Sequence, residues 1–191
     1  HFGPNRASWL PGSPDIGGFV EISAHINALE AEHGAGEVLV LDGGDVMTGT
    51  PLMEFDGRGA KGGAMLDFME SAGVDAWVLG NHEFDLGYDN ISAIVASSNI
   101  PALSANLDAP GGTGAPGIDG LKDHVIFERS GLKIGVFGLT THGLSHLTSG
   151  SATANMDVRD VQEVAREQVE ILEPKVDLVV ALTHIGLETD Q

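Results

Sequence analysis

The sequence predicts a layered α/β fold, on three observations. Short apolar runs of β-forming residues alternate with longer stretches of helical periodicity. Several of those runs end in a glycine-rich turn carrying a polar residue. The chain shows no internal repeat and no second compositional regime, which leaves one domain, residues 1–191.

The elements follow in order. Residues Ile16 to Glu32 read as a helix whose apolar stripe is Phe19, Val20, Ile22, Ile26 and Leu29, ended by Gly34 and Gly36. Val38–Leu41 reads as a buried strand running into Asp42-Gly43-Gly44-Asp45. A helix over Ala64–Ala72, stopped by Gly73, precedes a strand Ala76–Leu79 that runs into Gly80-Asn81-His82-Glu83. Asp89–Ser98 is a third helix and Ala102–Ala105 a short strand, and Pro110–Gly120 is a Gly/Pro-rich loop. His124–Glu128 and Lys133–Gly138 flank Ser130-Gly131 as a hairpin. Val158–Leu172 is a helix halted by Pro174, and Leu178–Leu182 is the last strand.

Composition narrows the chemistry. The chain has no cysteine, which excludes disulfides and thiolate-held metals and leaves nitrogen and oxygen donors. Nine basic residues against 28 acidic ones give a net charge of −19. That surface is the wrong footprint for a nucleic-acid backbone, and it fits a solubility adaptation, including one to salt. It would also repel a phosphate ester unless bound cations inverted the local field. No apolar run approaches the ~20 residues that span a bilayer.

Three strands deliver polar residues at their carboxyl ends, the edge where open α/β sheets bind ligands. These are Asp45, then Asn81 with His82, then His184. Asn81 and His82 are adjacent and cannot easily face one ion together, so one is a ligand and the other is aimed at substrate. Asp85, three residues after His82, is placed to fix the imidazole tautomer and raise its basicity. Taken singly, each has a plainer reading as a turn, cap or surface residue. It is their joint occurrence at three strand ends that points to a site.

At these residues the sequence resembles the calcineurin-like metallophosphoesterases in their 5′-nucleotidase branch. Leu41-Asp42-Gly43-Gly44-Asp45 with Thr48-Gly49-Thr50 is similar to one family motif, and Gly80-Asn81-His82-Glu83-Phe84-Asp85 to the next. Leu103-Ser104-Ala105-Asn106, Gly138-Leu139-Thr140-Thr141 and Leu182-Thr183-His184-Ile185-Gly186 follow in the family's order, and the likeness runs from about Gly17 to Gly186. The resemblance implies a four-layer α/β/β/α sandwich holding two divalent metal ions, with Mn, Zn, Co and Mg all open. It implies that Asp45 bridges the ions, that Asn81 and His184 bind one of them, and that metal-activated water attacks phosphorus in line. His82 would contact the phosphoryl group, oriented by Asp85.

His1 is either the histidine of the family's opening Asp-x-His motif, and so a further metal ligand, or a tag remnant. The matching Asp, the later Gly-His-x-His motif and the C-terminal nucleotide-binding domain are expected outside these residues. The implied activity is hydrolysis of a small-molecule phosphate ester, foremost a 5′-nucleotide, in the periplasm or at the cell surface. Cyclic-nucleotide phosphodiesterase, UDP-sugar hydrolase and SoxB-like activities stay open, as does a degenerate metal-binding domain without turnover. Glu83 is expected as a hydrogen-bonding support, Asp42 as a brace of its loop, and His142 as a candidate lining residue. His25, His33, His124 and His146 are given no role.

Overall fold

A computed structural model describes residues 3–47, 49, 51–108, 117–144 and 156–190. Its first elements are the strands β1 (Asn5–Arg6) and β2 (Asp15–Ile16), helix α1 (Phe19–His33) and strand β3 (Leu41–Asp42). A small hairpin, β4 (Asp56–Gly57) with β5 (Ala60–Lys61), leads to α2 (Ala64–Ser71), β6 (Ala76–Val78) and α3 (Tyr88–Ser97). Next come β7 (Ala102–Leu103), β8 (Leu107–Asp108), β9 (His124–Arg129) and β10 (Leu132–Thr140). The last elements are β11 (Asp157–Val158), α4 (Val161–Leu172), β12 (Leu178–His184) and a short α5 (Leu187–Asp190).

Two three-stranded sheets carry the architecture. One is all parallel in the order β3-β6-β7; in the other, β10 pairs parallel with β12 and antiparallel with β9. Side-chain alternation sorts their faces. Ala76, Leu103 and Val136 pack together with Leu41, Ile134 and Val180 between the sheets. Trp77 and Leu79 face outward onto Leu66 and Met69 of α2 and Ile91 and Ile94 of α3. Phe137 and Leu139 face Val164 and Leu172 of α4. Helices therefore cover both outer faces, the α/β/β/α order the family resemblance implies.

Three expected elements shift, each for a local reason. Helix α1 begins at Phe19 rather than Ile16, because Gly17 and Gly18 both take positive φ (70° and 89°) and Ile16 pairs in β2. Its expected apolar stripe is mostly outside the core: Ile26 is buried, whereas Val20 is 74% exposed. The strand expected over Val38–Leu41 is paired only at Leu41–Asp42, since Asp75 both accepts the Val40 N–H with its carboxylate and donates its own N–H to the Val40 carbonyl. Val158 belongs to β11, paired with β8, and α4 starts after Asp160, whose carboxylate accepts the N–H groups of Gln162 and Glu163. The hairpin at Ser130-Gly131 forms as expected, both residues having the positive φ that a tight two-residue turn needs. Of the expected loop, Pro110–116 lie outside the described residues.

Candidate metal centre

The parallel strands of both sheets end at one edge, and the polar residues after them meet there. Asp45 follows β3, Asn81 and His82 follow β6, and His184 ends β12. The His184 Nδ1–H donates to the Gly43 carbonyl at 2.7 Å. A carbonyl only accepts, so a neutral His184 keeps its lone pair on Nε2. That Nε2 lies 3.2 Å from Asp45 Oδ2. A lone pair aimed at a carboxylate oxygen is unfavourable unless a cation is shared between them, and a second-shell carbonyl on the far nitrogen is the usual support of a metal-binding histidine.

Asn81 lines the same open cleft as His184, together with Thr141, Ile185 and Gly186. By their chemistry Asp45, Asn81 and His184 could together offer oxygen and nitrogen donors to one divalent ion of the hard or borderline type. Among the described residues no three of His, Cys, Asp and Glu gather closely enough to hold an ion without such an amide. His1 lies outside the described residues, as do Thr48, Thr50 and His146.

His82 is set apart from this cleft by its side chain. Its backbone N–H donates to Asp45 Oδ1 at 3.0 Å, while its imidazole Nδ1–H donates to Asp85 Oδ2 at 2.8 Å. The bond to Asp85 holds the imidazole pKa above its usual value, and the charges of Asp45, Asp85 and Glu83 add to this. With Nδ1 occupied and the side chain 41% exposed, Nε2 is free to meet a substrate.

Around these groups the loops are tightly tied. Asp45 itself has φ 60°, a left-handed backbone uncommon for a residue with a Cβ. Gly80 must be glycine, because a Cβ there would lie 2.3 Å from Asp45 Oδ1. Glu83, 1% exposed, accepts backbone N–H groups from both loops, and burial pushes its carboxyl pKa up. Asp42 braces its own turn by accepting the Gly44 N–H, with burial likewise raising its pKa.

A buried polar network pins the strand ends from across the sandwich. Thr140 Oγ1 donates to the Leu79 carbonyl and meets Ser104 Oγ, both at 2.8 Å. Asn106 donates to the Thr140 carbonyl and accepts its N–H, again at 2.8 Å. This gives physical roles to the motif residues Ser104, Asn106 and Thr140, which sequence reading recognised without explaining. Thr141, which sequence reading did not single out as a site residue, is also buried and lines the cleft, while His142 is exposed and does not. His124 has a structural partner, its Nδ1 lying 2.7 Å from the Oε1 of the buried Gln168.

Over 161 residues the chain is 36% identical to the 5′-nucleotidase of Vibrio cholerae, covering 82% of this chain and 27% of that protein. The solved structure of a 5′-nucleotidase precursor from Thermus thermophilus matches with a TM-score of 0.83 at 28% identity, over 99% of this chain and 36% of that one. A calcineurin-like phosphoesterase of Bacillus subtilis shares the fold at 20% identity and a TM-score of 0.75, over 98% of this chain and 60% of that one. No protein-family model matches. The chain spans less than a third of the length of the curated relatives it matches.

Proposed function

The chain belongs to the 5′-nucleotidase branch of the calcineurin-like phosphoesterases, and from that membership we propose that it is the metal-site part of an enzyme that hydrolyses phosphate esters, foremost 5′-nucleotides. The observation that carries the proposal is the meeting of Asp45, Asn81 and His184 at one sheet edge, with His184 Nε2 turned toward Asp45 at 3.2 Å. These three residues would hold a divalent ion, with His1 and residues outside this chain supplying the ligands of a second. Bound ions would supply Lewis-acid activation of water and neutralise charge on the phosphoryl oxygens.

The chain's own residues then divide the work. Asp85 holds the His82 imidazole with Nε2 outward, and the raised pKa keeps that nitrogen ready to carry a proton toward phosphoryl oxygen. The His82 backbone N–H fixes one Asp45 oxygen and leaves the other toward His184. Thr141 and Gly186 shape the cleft wall. Nucleoside recognition is assigned to a further domain, in keeping with the fraction of its relatives that the chain spans. Export to the periplasm or cell surface is proposed from the name of the Thermus relative, a precursor. Among the described residues no helix is long and apolar enough to cross a membrane.

Turnover by the whole protein decides the reading. Hydrolysis of AMP should cease with excess chelator and return with Mn²⁺, Zn²⁺ or Co²⁺, and AMP should outrun a 2′,3′-cyclic nucleotide and a UDP-sugar. Full turnover after confirmed metal removal would sink it.

A further inference from the structure

We propose that Glu83 is a positioning residue for the metal site, locking the turn that carries Asp45 to the turn that carries Asn81 and His82. The inference rests on the metal reading above and goes beyond it, because Glu83 itself binds no ion there. Its two oxygens divide four backbone donors. Oε2 accepts the N–H of Asp45 at 2.9 Å and of Gly80 at 2.7 Å. Oε1 accepts the N–H of Val46 at 2.7 Å and of Met47 at 3.3 Å. All four donors belong to the two turns that bear the proposed ligands.

The pattern is specific to a carboxylate. A buried negative charge is costly unless hydrogen bonds replace its water, and no Lys or Arg among the described residues pairs with Glu83. The four N–H groups are that replacement. In return they fix Asp45 in its left-handed conformation, which persists only where the surroundings over-determine it. Gly80 allows the closest approach of the two turns, since a Cβ there would also lie 2.9 Å from Glu83 Oε2. The Asp45 carboxylate is aimed by this clamp: released from it, the turn can relax to right-handed backbone and carry Oδ2 away from His184.

Glu83→Gln tests the clamp with little change of shape, for it turns an NH₂ group against two backbone donors. Mn²⁺ affinity of the whole protein, measured by calorimetry, should fall about 10- to 100-fold, the usual effect of losing an outer-shell partner. Leu172→Ala, on α4 behind the other sheet, serves as a control that loses stability without touching the site. It should melt earlier and bind Mn²⁺ as wild type does. Glu83→Asp keeps both oxygens on a shorter arm and carries the same measurement if the glutamine variant does not fold. Wild-type affinity in either folded Glu83 variant, or an equal loss in Leu172→Ala, overturns the clamp alone. Wild-type protein that binds no Mn²⁺ overturns both the clamp and the metal reading beneath it.

Discussion

At the scale of single residues, the site divides its histidines by what holds their Nδ1. A carbonyl holds that of His184 and leaves Nε2 facing Asp45; a carboxylate holds that of His82 and raises its basicity. His82→Asn should therefore lower kcat by about 10²–10⁴-fold, the scale of a positioned proton carrier, with metal content per protein unchanged. Loss of metal by elemental analysis would show that His82 and Asn81 had been assigned the wrong way round. Asp45→Asn should instead remove both metal and activity, because the amide weakens the donor that faces His184. These residues were legible in sequence because a polar side chain after a buried strand has few places to go. What was not legible was conformation: nothing in Gly-Gly-Asp announces a left-handed Asp45, or that four backbone donors would converge on Glu83. Those depend on two turns 35 residues apart in sequence meeting in space.

At the scale of elements, the short β4–β5 hairpin is tied to α2 through Arg58. Its guanidinium bonds Asp67 and both oxygens of Glu70, and donates to the Ser97 carbonyl at the end of α3. The bond from Arg58 holds the Glu70 pKa down at about 2, against about 4.3 when unfolded. The sign follows: a depressed carboxylate contributes stability that is present above the unfolded pKa and lost as pH falls through the folded one. Urea midpoints should thus decline between about pH 4.3 and 2, and Glu70→Gln should flatten that part of the profile while lowering the midpoint at pH 6. An unchanged profile would mean the tether contributes nothing. Helices α2 and α3 and the Ser130-Gly131 hairpin were readable because periodicity and turn chemistry agreed locally. The start of α1, the length of β3 and the start of α4 were not, since each is set by a tertiary or capping hydrogen bond that overrides the apolar pattern.

At the scale of the whole molecule, charge and convergence act together. Among the described residues Arg58, Lys61, Arg129 and Arg159 sit in ion pairs, and the 28 acidic residues so outnumber the nine basic ones that the net −19 acts as mutual repulsion among carboxylates. Raising ionic strength from about 0.01 to 1 M shortens screening from about 30 to 3 Å and should raise the melting temperature by several degrees; a fall would show that the ion pairs outweigh the repulsion. The same field would draw divalent cations toward the edge where both sheets end, and where the proposed ligands Asp45, Asn81 and His184 lie. An anomalous-difference map from crystals soaked in Mn²⁺ tests that convergence most directly. A manganese peak is expected within bonding reach of Asp45 Oδ2 and His184 Nε2, on the cleft that Asn81 lines. Manganese bound at full occupancy elsewhere, with none between those two side chains, would contradict it.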